Sequence, residues 1–193
     1  MEKVFEDIQP LLREEIQRSL QSVTHSGELC IVRLFYYDTH APCAYVDFRC
    51  VTTDQRRATI QQYQDDGLMY LWGSGEECGD RPRIVIPKRE PKDAQEQRLA
   101  QLFAMVYSLL SSDEKEYMRQ YRSAIQRVAL AMNSDDVAWT FPVSDDFVIV
   151  PADGSMHFCD DESDVIASVP QYTIELLRSR GFLGPTGSML GDC

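Results

Sequence analysis

The sequence lacks the features that would assign a location directly. No uninterrupted apolar run approaches the roughly 18 residues that a membrane-spanning helix needs. The N-terminal stretch MEKVFEDIQPLLREE carries acidic residues inside its first apolar segment, so it does not resemble a secretory signal peptide. We therefore expect a cytoplasmic protein without a membrane partner.

Motifs for metal, nucleotide or nucleophile chemistry are also missing. None of the six cysteines belongs to a CxxC pair, which argues against a zinc ribbon or a thioredoxin-type site, and a reducing cytoplasm should keep them as thiols. The glycine-rich segment 73–80 lacks the G-x-G-x-x-G spacing, and its acidic residues would repel phosphate. No G-x-S-x-G elbow is present either. The sequence thus predicts no cofactor.

What the sequence does contain is the composition of a folded domain. Apolar residues make up 44% and charged residues 26%, which is ordinary for a globular protein, and 193 residues can bury a substantial core. The C-terminal stretch GPTGSMLGDC has no core pattern. We predict a single domain over residues 1–183 and a flexible tail over residues 184–193.

Three long stretches space their apolar side chains by three and four residues, as amphipathic helices do. They predict an opening helix that contains Pro10 in its first turn or at a kink, and a helical pair over residues 91–132. The second arm of the pair should begin at the S-x-x-E capping box Ser111–Glu114. The predicted core positions are Val4, Ile8, Leu11, Leu12, Ile16, Leu20, Val23, Leu99, Leu102, Phe103, Val106, Leu110, Tyr117, Tyr121, Ile125, Val128 and Met132.

Two shorter helices are indicated by their ends. A mostly polar helix should run from a cap at Thr53 or Asp54 to Tyr63. A last helix should begin at about Pro170 and stop in a Schellman-type turn, where Gly181 is followed by an apolar residue.

The clearest strand pattern is a hairpin formed by residues 29–37 and 43–50, which are rich in β-branched and aromatic side chains. One register gives a wholly apolar face and a favourable charge pair on the other face. This register pairs Arg33 with Asp47, and Cys30 with Cys50.

The remaining strands complete the predicted fold. Segments 68–72 and 83–87 read as strands, and segments 147–151 and 155–159 read as a hairpin around Asp153-Gly154. The order of elements predicts an α+β domain with a mainly antiparallel sheet of about five or six strands and helices packed on one face.

The chain is strongly acidic, with a formal net charge of −12. Such a charge repels nucleic acid and attracts a basic protein partner. Acidic pairs lie beside predicted turns, and each pair taken alone is explained as solvated protein surface. Several pairs together would form a docking surface for a basic partner, with an aromatic side chain as its anchor. The predicted partner-binding residues are Asp145, Asp146, Asp160, Asp161 and Trp72. The alternative for Trp72 is a place in the core.

Two other functions remain open at this level. The residues nearest to a metal-ligand set are His157, Cys159 and Asp160, and strand alternation puts the first two on one face. Their spacing matches no zinc or calcium pattern, so a metal-dependent hydrolase is only an alternative. A regulatory domain that binds a small molecule is the other alternative, and no motif marks it.

Several hydrophobic segments, taken together, resemble a known type of domain. The chain has an opening helix, the strand GELCIVRLFYYD, a second strand entering the helix TTDQRR, then LMYLW before an acidic loop, and the helix QLFAMVYSLL. This order resembles uncharacterised bacterial domains of unknown function of the toxin-immunity type. The resemblance implies binding without catalysis, and no functional residue is carried over from it.

Overall fold

The computed structural model describes residues 2–37, 45–64, 67–72, 79, 84–109, 114–134, 137–154 and 161–184, which we call the framework. Within the framework there are seven helices and a four-stranded sheet, which confirms the α+β class. The helices are α1 (Glu2–Gln21), α2 (Thr53–Tyr63), α3 (Gly67–Trp72), α4 (Ala94–Ser108), α5 (Glu114–Met132), α6 (Asp161–Ser168) and α7 (Gln171–Ser179). The strands are β1 (Leu29–Tyr37), β2 (Tyr45–Thr52), β3 (Val85–Ile86) and β4 (Val143–Asp153).

The sheet is mixed, so the prediction of five or six mainly antiparallel strands is wrong. Its order is β3-β2-β1-β4, with β4 parallel to β1 and the other pairs antiparallel. The predicted strand 147–151 lies inside β4, and the segment 155–159 is outside the framework. The N–H of Gly154 donates to the carbonyl of Tyr36 over 3.0 Å, so β4 continues its ladder with β1 at the position where a hairpin turn was predicted.

The pairing of β1 with β2 is antiparallel, as predicted, but its register differs by two residues. Arg33 lies opposite Arg49, and Cys50 lies opposite Val32. Because side chains alternate with a period of two, this shift changes the partners and leaves each residue on its predicted face.

Cys30 departs from that pattern. The register is irregular between Leu29 and Ile31, and Cys30 joins the apolar cluster on the other face of the sheet from Cys50. Its thiol donates to the carbonyl of Val51 over 3.3 Å. The predicted opposition of Cys30 and Cys50 is therefore wrong, although both side chains are buried.

Helices cover both faces of the sheet, not one as predicted. On the first face α1 packs against α4 and α5, and these helices meet alternate side chains of β1 and β2. On the second face Val148 and Val150 of β4 pack with apolar side chains of α3, α6 and α7. The alternation of strand side chains lets one sheet hold two cores.

The long helices confirm the sequence predictions for α1, α4 and α5. Their predicted core positions are buried, except that Leu11 and Val23 are partly exposed and Leu110 lies outside the framework. Pro10 lies well inside α1, beyond its first turn. Residues 111–113 are not described, so the predicted capping box at the start of α5 stays a prediction.

Segment 68–72 is a helix, α3, so the predicted strand there is wrong. A run of five apolar residues is compatible with the period of a helix and with that of a strand, and the shortness of the run favoured a strand. The backbone at Gly67 approaches α2 so closely that an added Cβ would lie 2.9 Å from the Cα of Ile60. The predicted strand 83–87 is reduced to the two residues of β3, and residue 83 itself is not described.

Helix α7 ends in the predicted Schellman turn. The N–H of Phe182 donates to the carbonyl of Leu177 over 2.8 Å, and the N–H of Gly181 donates to that of Arg178 over 3.0 Å. Gly181 has φ +73°, in the left-handed region that favours glycine. This turn fixes the position of Phe182.

We expect Gly181→Ala to lower the free energy of unfolding by about 1–2 kcal/mol, measured by urea denaturation. No atom lies within 4 Å of an added Cβ, so the cost comes from the backbone conformation alone. Gly181→Asn should cost less, because asparagine tolerates the left-handed region. Equal losses for both substitutions would contradict this explanation.

Candidate functional site

The first turn of α2 places an arginine beside the start of β4. Thr52 caps the helix: its hydroxyl accepts from the N–H of Gln55 over 3.2 Å, and the Gln55 side chain accepts from the N–H of Thr52 over 2.9 Å. The cap therefore lies one residue before the predicted position. Arg56 follows one residue after Gln55, with its side chain only 9% exposed.

Arg56 ends on a buried carboxylate. Its NH1 donates to Asp146 over 3.0 Å, and Asp146 is 0% exposed. The same carboxylate accepts from the Ser144 hydroxyl over 2.6 Å and lies 3.0 Å from NH1 of Arg180. Burial would raise the pKa of the Asp146 carboxyl, but the hydrogen bonds from Ser144, Arg56 and Arg180 outweigh it and hold the pKa below its usual value.

Arg180 joins the neighbouring acid to the same network. Its two terminal nitrogens donate to the two carboxylate oxygens of Asp145, each over 2.6 Å. This bidentate pair lowers the pKa of Asp145, which is exposed. Two arginines and two aspartates thus balance each other at the start of β4.

An aromatic residue closes the network from the end of α7. The Arg56 guanidinium carbon lies 3.9 Å from the centroid of the Phe182 ring, which is a cation–π contact. The carbonyl of Phe182 accepts from the indole N–H of Trp72 over 2.6 Å. The ends of α3 and α7 are therefore both fixed next to Arg56.

A cleft with a volume of about 560 Å³ opens on this network. This size is within the range of sites that hold small molecules. Its lining combines two arginines, two acids, hydroxyl and amide groups and two apolar side chains. The lining residues are Glu28, Thr53, Arg56, Arg57, Ile60, Gln61, Ser144, Asp145 and Phe182.

The structure brings together three of the five predicted partner-binding residues: Asp145, Asp146 and Trp72. Asp146 and Trp72 are buried, at 0% and 4% exposure, so neither presents its side chain to a partner in this conformation. Asp145 is exposed but its charge is paired. Trp72 takes the alternative place in the core.

The other two predicted residues are only partly described. Asp160 lies outside the framework, and Asp161 begins α6 with its side chain undescribed. Asp145 lies near the start of β4, and α6 follows after its far end. That the four acids share one surface therefore stays a prediction.

The metal prediction remains untested. Among the framework residues no group of three His, Cys, Asp or Glu side chains is placed to hold a metal ion. His157, Cys159 and Asp160 lie outside the framework. No framework helix is long and apolar enough to cross a membrane.

Sequence reasoning missed the residues that complete the site: Arg56, Arg180 and Phe182. The Gly181 stop signal predicted the turn before Phe182, but no local pattern predicts what its ring contacts. Arg56 and Asp146 are 90 positions apart, and no short motif connects them.

No family model, curated protein or solved structure matches this chain. Its function is therefore inferred from its own residues.

Proposed function

We propose that this chain is a non-enzymatic interaction protein of the toxin-immunity type and that it binds a basic protein partner through acid-rich segments. These acid-rich segments are residues 65–66, 76–80, 135–136 and 160–162. They contain ten of the 31 acidic residues and none of the 19 basic residues. This uneven division of charge is the observation that supports the proposal.

The rest of the chain, by contrast, is close to charge balance, with 21 acidic and 19 basic residues. Many of its acids are internally paired. Glu15 and Glu96 are buried against Lys88, whose amine lies 3.0 and 2.7 Å from them. The Lys88 ammonium and the N–H of Lys92 hold the pKa of Glu96 below its usual value.

A further pair anchors α6 to α5. Asp164 is buried and accepts from Arg122 and Gln126, each over 2.7 Å. Burial nevertheless raises the pKa of Asp164 above its usual value. Acids held in this way stabilise or orient elements and add little negative potential outside, whereas the acid-rich segments carry −10 of the formal net charge of −12.

Charges that lie close together in the sequence contribute to one local potential, and such a potential accelerates encounter with a basic surface.

A second candidate function, binding of a small molecule, is favoured by the cleft beside Arg56. It does not exclude a protein partner, because none of the described residues that line the cleft belongs to the acid-rich segments.

We expect a basic protein recovered with the tagged chain from its native cells to form a stoichiometric complex when both are purified. Association should slow at least about tenfold at low salt when four acids are neutralised together, because steering sums over charges. The variant is Glu76→Gln, Glu77→Gln, Asp160→Asn and Asp161→Asn, which leaves buried Asp146 intact. Stopped-flow association at two salt concentrations measures the effect, which should shrink as salt rises.

The matched control removes four exposed framework acids: Glu6→Gln, Asp7→Asn, Glu90→Gln and Glu175→Gln. It changes the net charge equally and should affect the rate much less. Equal slowing by both variants would mean that only net charge matters, and wild-type rates for the first variant in low salt would end the proposal. Asp160→Asn alone should change the rate less than about twofold, because an exposed charge pair contributes little.

A further inference from the structure

We propose that the cleft beside α2 binds a small organic carboxylate, which Arg56 holds through its Nε and NH2 donors. This inference goes beyond the proposed function, since it concerns a different surface and a different class of ligand.

Arg56 has hydrogen-bonding capacity left over. A guanidinium carries five N–H donors in a planar fork. Asp146 occupies NH1, and among the framework residues neither Nε nor NH2 of Arg56 makes a hydrogen bond. The side chain is nevertheless more than nine-tenths buried and lines the cleft. Both atoms keep solvent contact, because neither is among the fully buried side-chain atoms that lack a partner, and a planar carboxylate fits two such donors at once.

The fork is held in a fixed orientation before any ligand arrives. Asp146 fixes one end of the guanidinium, and the Phe182 ring lies against its face. A donor that is already ordered loses less conformational entropy on binding than a free surface arginine. Arg56 therefore has the properties of a binding residue in addition to its structural role.

A second arginine stands at the rim of the cleft. Arg57 is exposed, and its contact with Asp54 over 3.2 Å joins two side chains that are 76% and 86% exposed. Such a pair contributes little, so Arg57 is available to turn toward an anion in the cleft. The apolar side chains of Ile60 and Phe182 provide contact for the hydrocarbon part of the ligand.

The two acids in the lining bear on the sign of the ligand charge. Asp145 is neutralised by its bidentate pair with Arg180. Glu28 is exposed and also lines the cleft, and its carbonyl accepts from the N–H of Thr53 over 2.9 Å. Its carboxylate should weaken anion binding slightly, so removal of this charge should strengthen the binding.

The test is calorimetric titration of the full chain with acetate, benzoate and phenylacetate, together with benzamide, benzylamine and inorganic phosphate. We expect one-to-one binding of an aromatic carboxylate with a millimolar or tighter dissociation constant. Benzamide and benzylamine should bind at least about tenfold more weakly, because they lack the two acceptor oxygens that match the fork. Phosphate should bind more weakly than benzoate, since it leaves the apolar lining unused.

Two variants then identify the site without removing Arg56. Arg57→Gln should weaken binding about three- to tenfold, and Glu28→Gln should strengthen it about twofold, because each changes one charge near the ligand. Arg98→Gln, an exposed change on α4, is the control and should have no effect. Circular dichroism verifies that each variant is folded.

The proposal would be overturned if none of the three carboxylates bound saturably. It would also be overturned by tighter binding of benzylamine than of benzoate, or by weakening through Glu28→Gln, since either result would mean that the cleft prefers a cation. None of these outcomes bears on the binding of a basic protein partner by the acid-rich segments.

Discussion

We expect Asp146→Ala to lower the free energy of unfolding by about 3–5 kcal/mol, because it leaves two arginines without their shared buried carboxylate. Asp146 is fully buried and accepts from Arg56 and Ser144, with Arg180 3.0 Å away. Once the carboxylate is gone, Arg56, whose side chain is 9% exposed, has lost the carboxylate with which it forms an ion pair. Urea denaturation at neutral pH measures the loss.

Asp145→Ala is the matched control, one residue away and paired with the same Arg180. Because Asp145 is exposed and solvent screens its pair with Arg180, its loss should cost much less than the loss of Asp146. Similar losses for the two substitutions would mean that the network is not organised around Asp146.

The pH dependence of stability gives the same comparison a second readout. The folded pKa of Asp146 lies below its unfolded value of about 3.9. The contribution of the ionised carboxylate to the free energy of unfolding is therefore fully present above about pH 3.9. The contribution disappears as the pH falls through the folded pKa. The stability difference between the wild type and Asp146→Ala should therefore narrow in acid and stay constant between pH values of about 6 and 8.

The second large effect is expected in the first core. Ile125 of α5 is fully buried in the cluster with α1 and the sheet. Ile125→Ala should lower the free energy of unfolding by about 2–5 kcal/mol, through the lost transfer free energy and the cavity left behind.

Leu130 provides the control on the same helix. It is 41% exposed, so Leu130→Ala should change stability by no more than about 0.5 kcal/mol. A change below about 1 kcal/mol for Ile125→Ala, or equal changes for the two residues, would contradict the assignment of the core face.

The helices that the sequence predicted correctly are those whose signals are local. In α4 and α5 the apolar side chains recur every three or four residues over four turns or more. Over this length, only a helix places such residues on one face. The Schellman stop at Gly181 was predictable for the same reason, because one residue must adopt a left-handed conformation there.

The errors concern pairings over long distances in the sequence. Residues 147–151 have strand character whether their partner is a hairpin arm or β1, which lies more than a hundred residues earlier. Segment 68–72 is too short for its period to separate a helix from a strand. The two-residue difference in the register of β1 and β2 preserves the alternation of faces, so patterning alone does not detect it.

The candidate site shows the same limit. The sequence indicated Asp145 and Asp146 as an acidic pair available to a partner. Their charges are instead offset by Arg56 and Arg180, which come from α2 and from the end of α7. Charge counting identified an acidic protein, but only the fold separates acids that are paired internally from those in the acid-rich segments.

The most direct test of the central claim is hydrogen–deuterium exchange of the chain, free and in complex with its recovered basic partner. If the acid-rich segments bind the partner, exchange slows in residues 65–66, 76–80, 135–136 and 160–162. Helices α1 and α4, which contain none of these segments, should exchange at the same rate in both states. Protection confined to α1 and α4, with none in the acid-rich segments, would contradict the account.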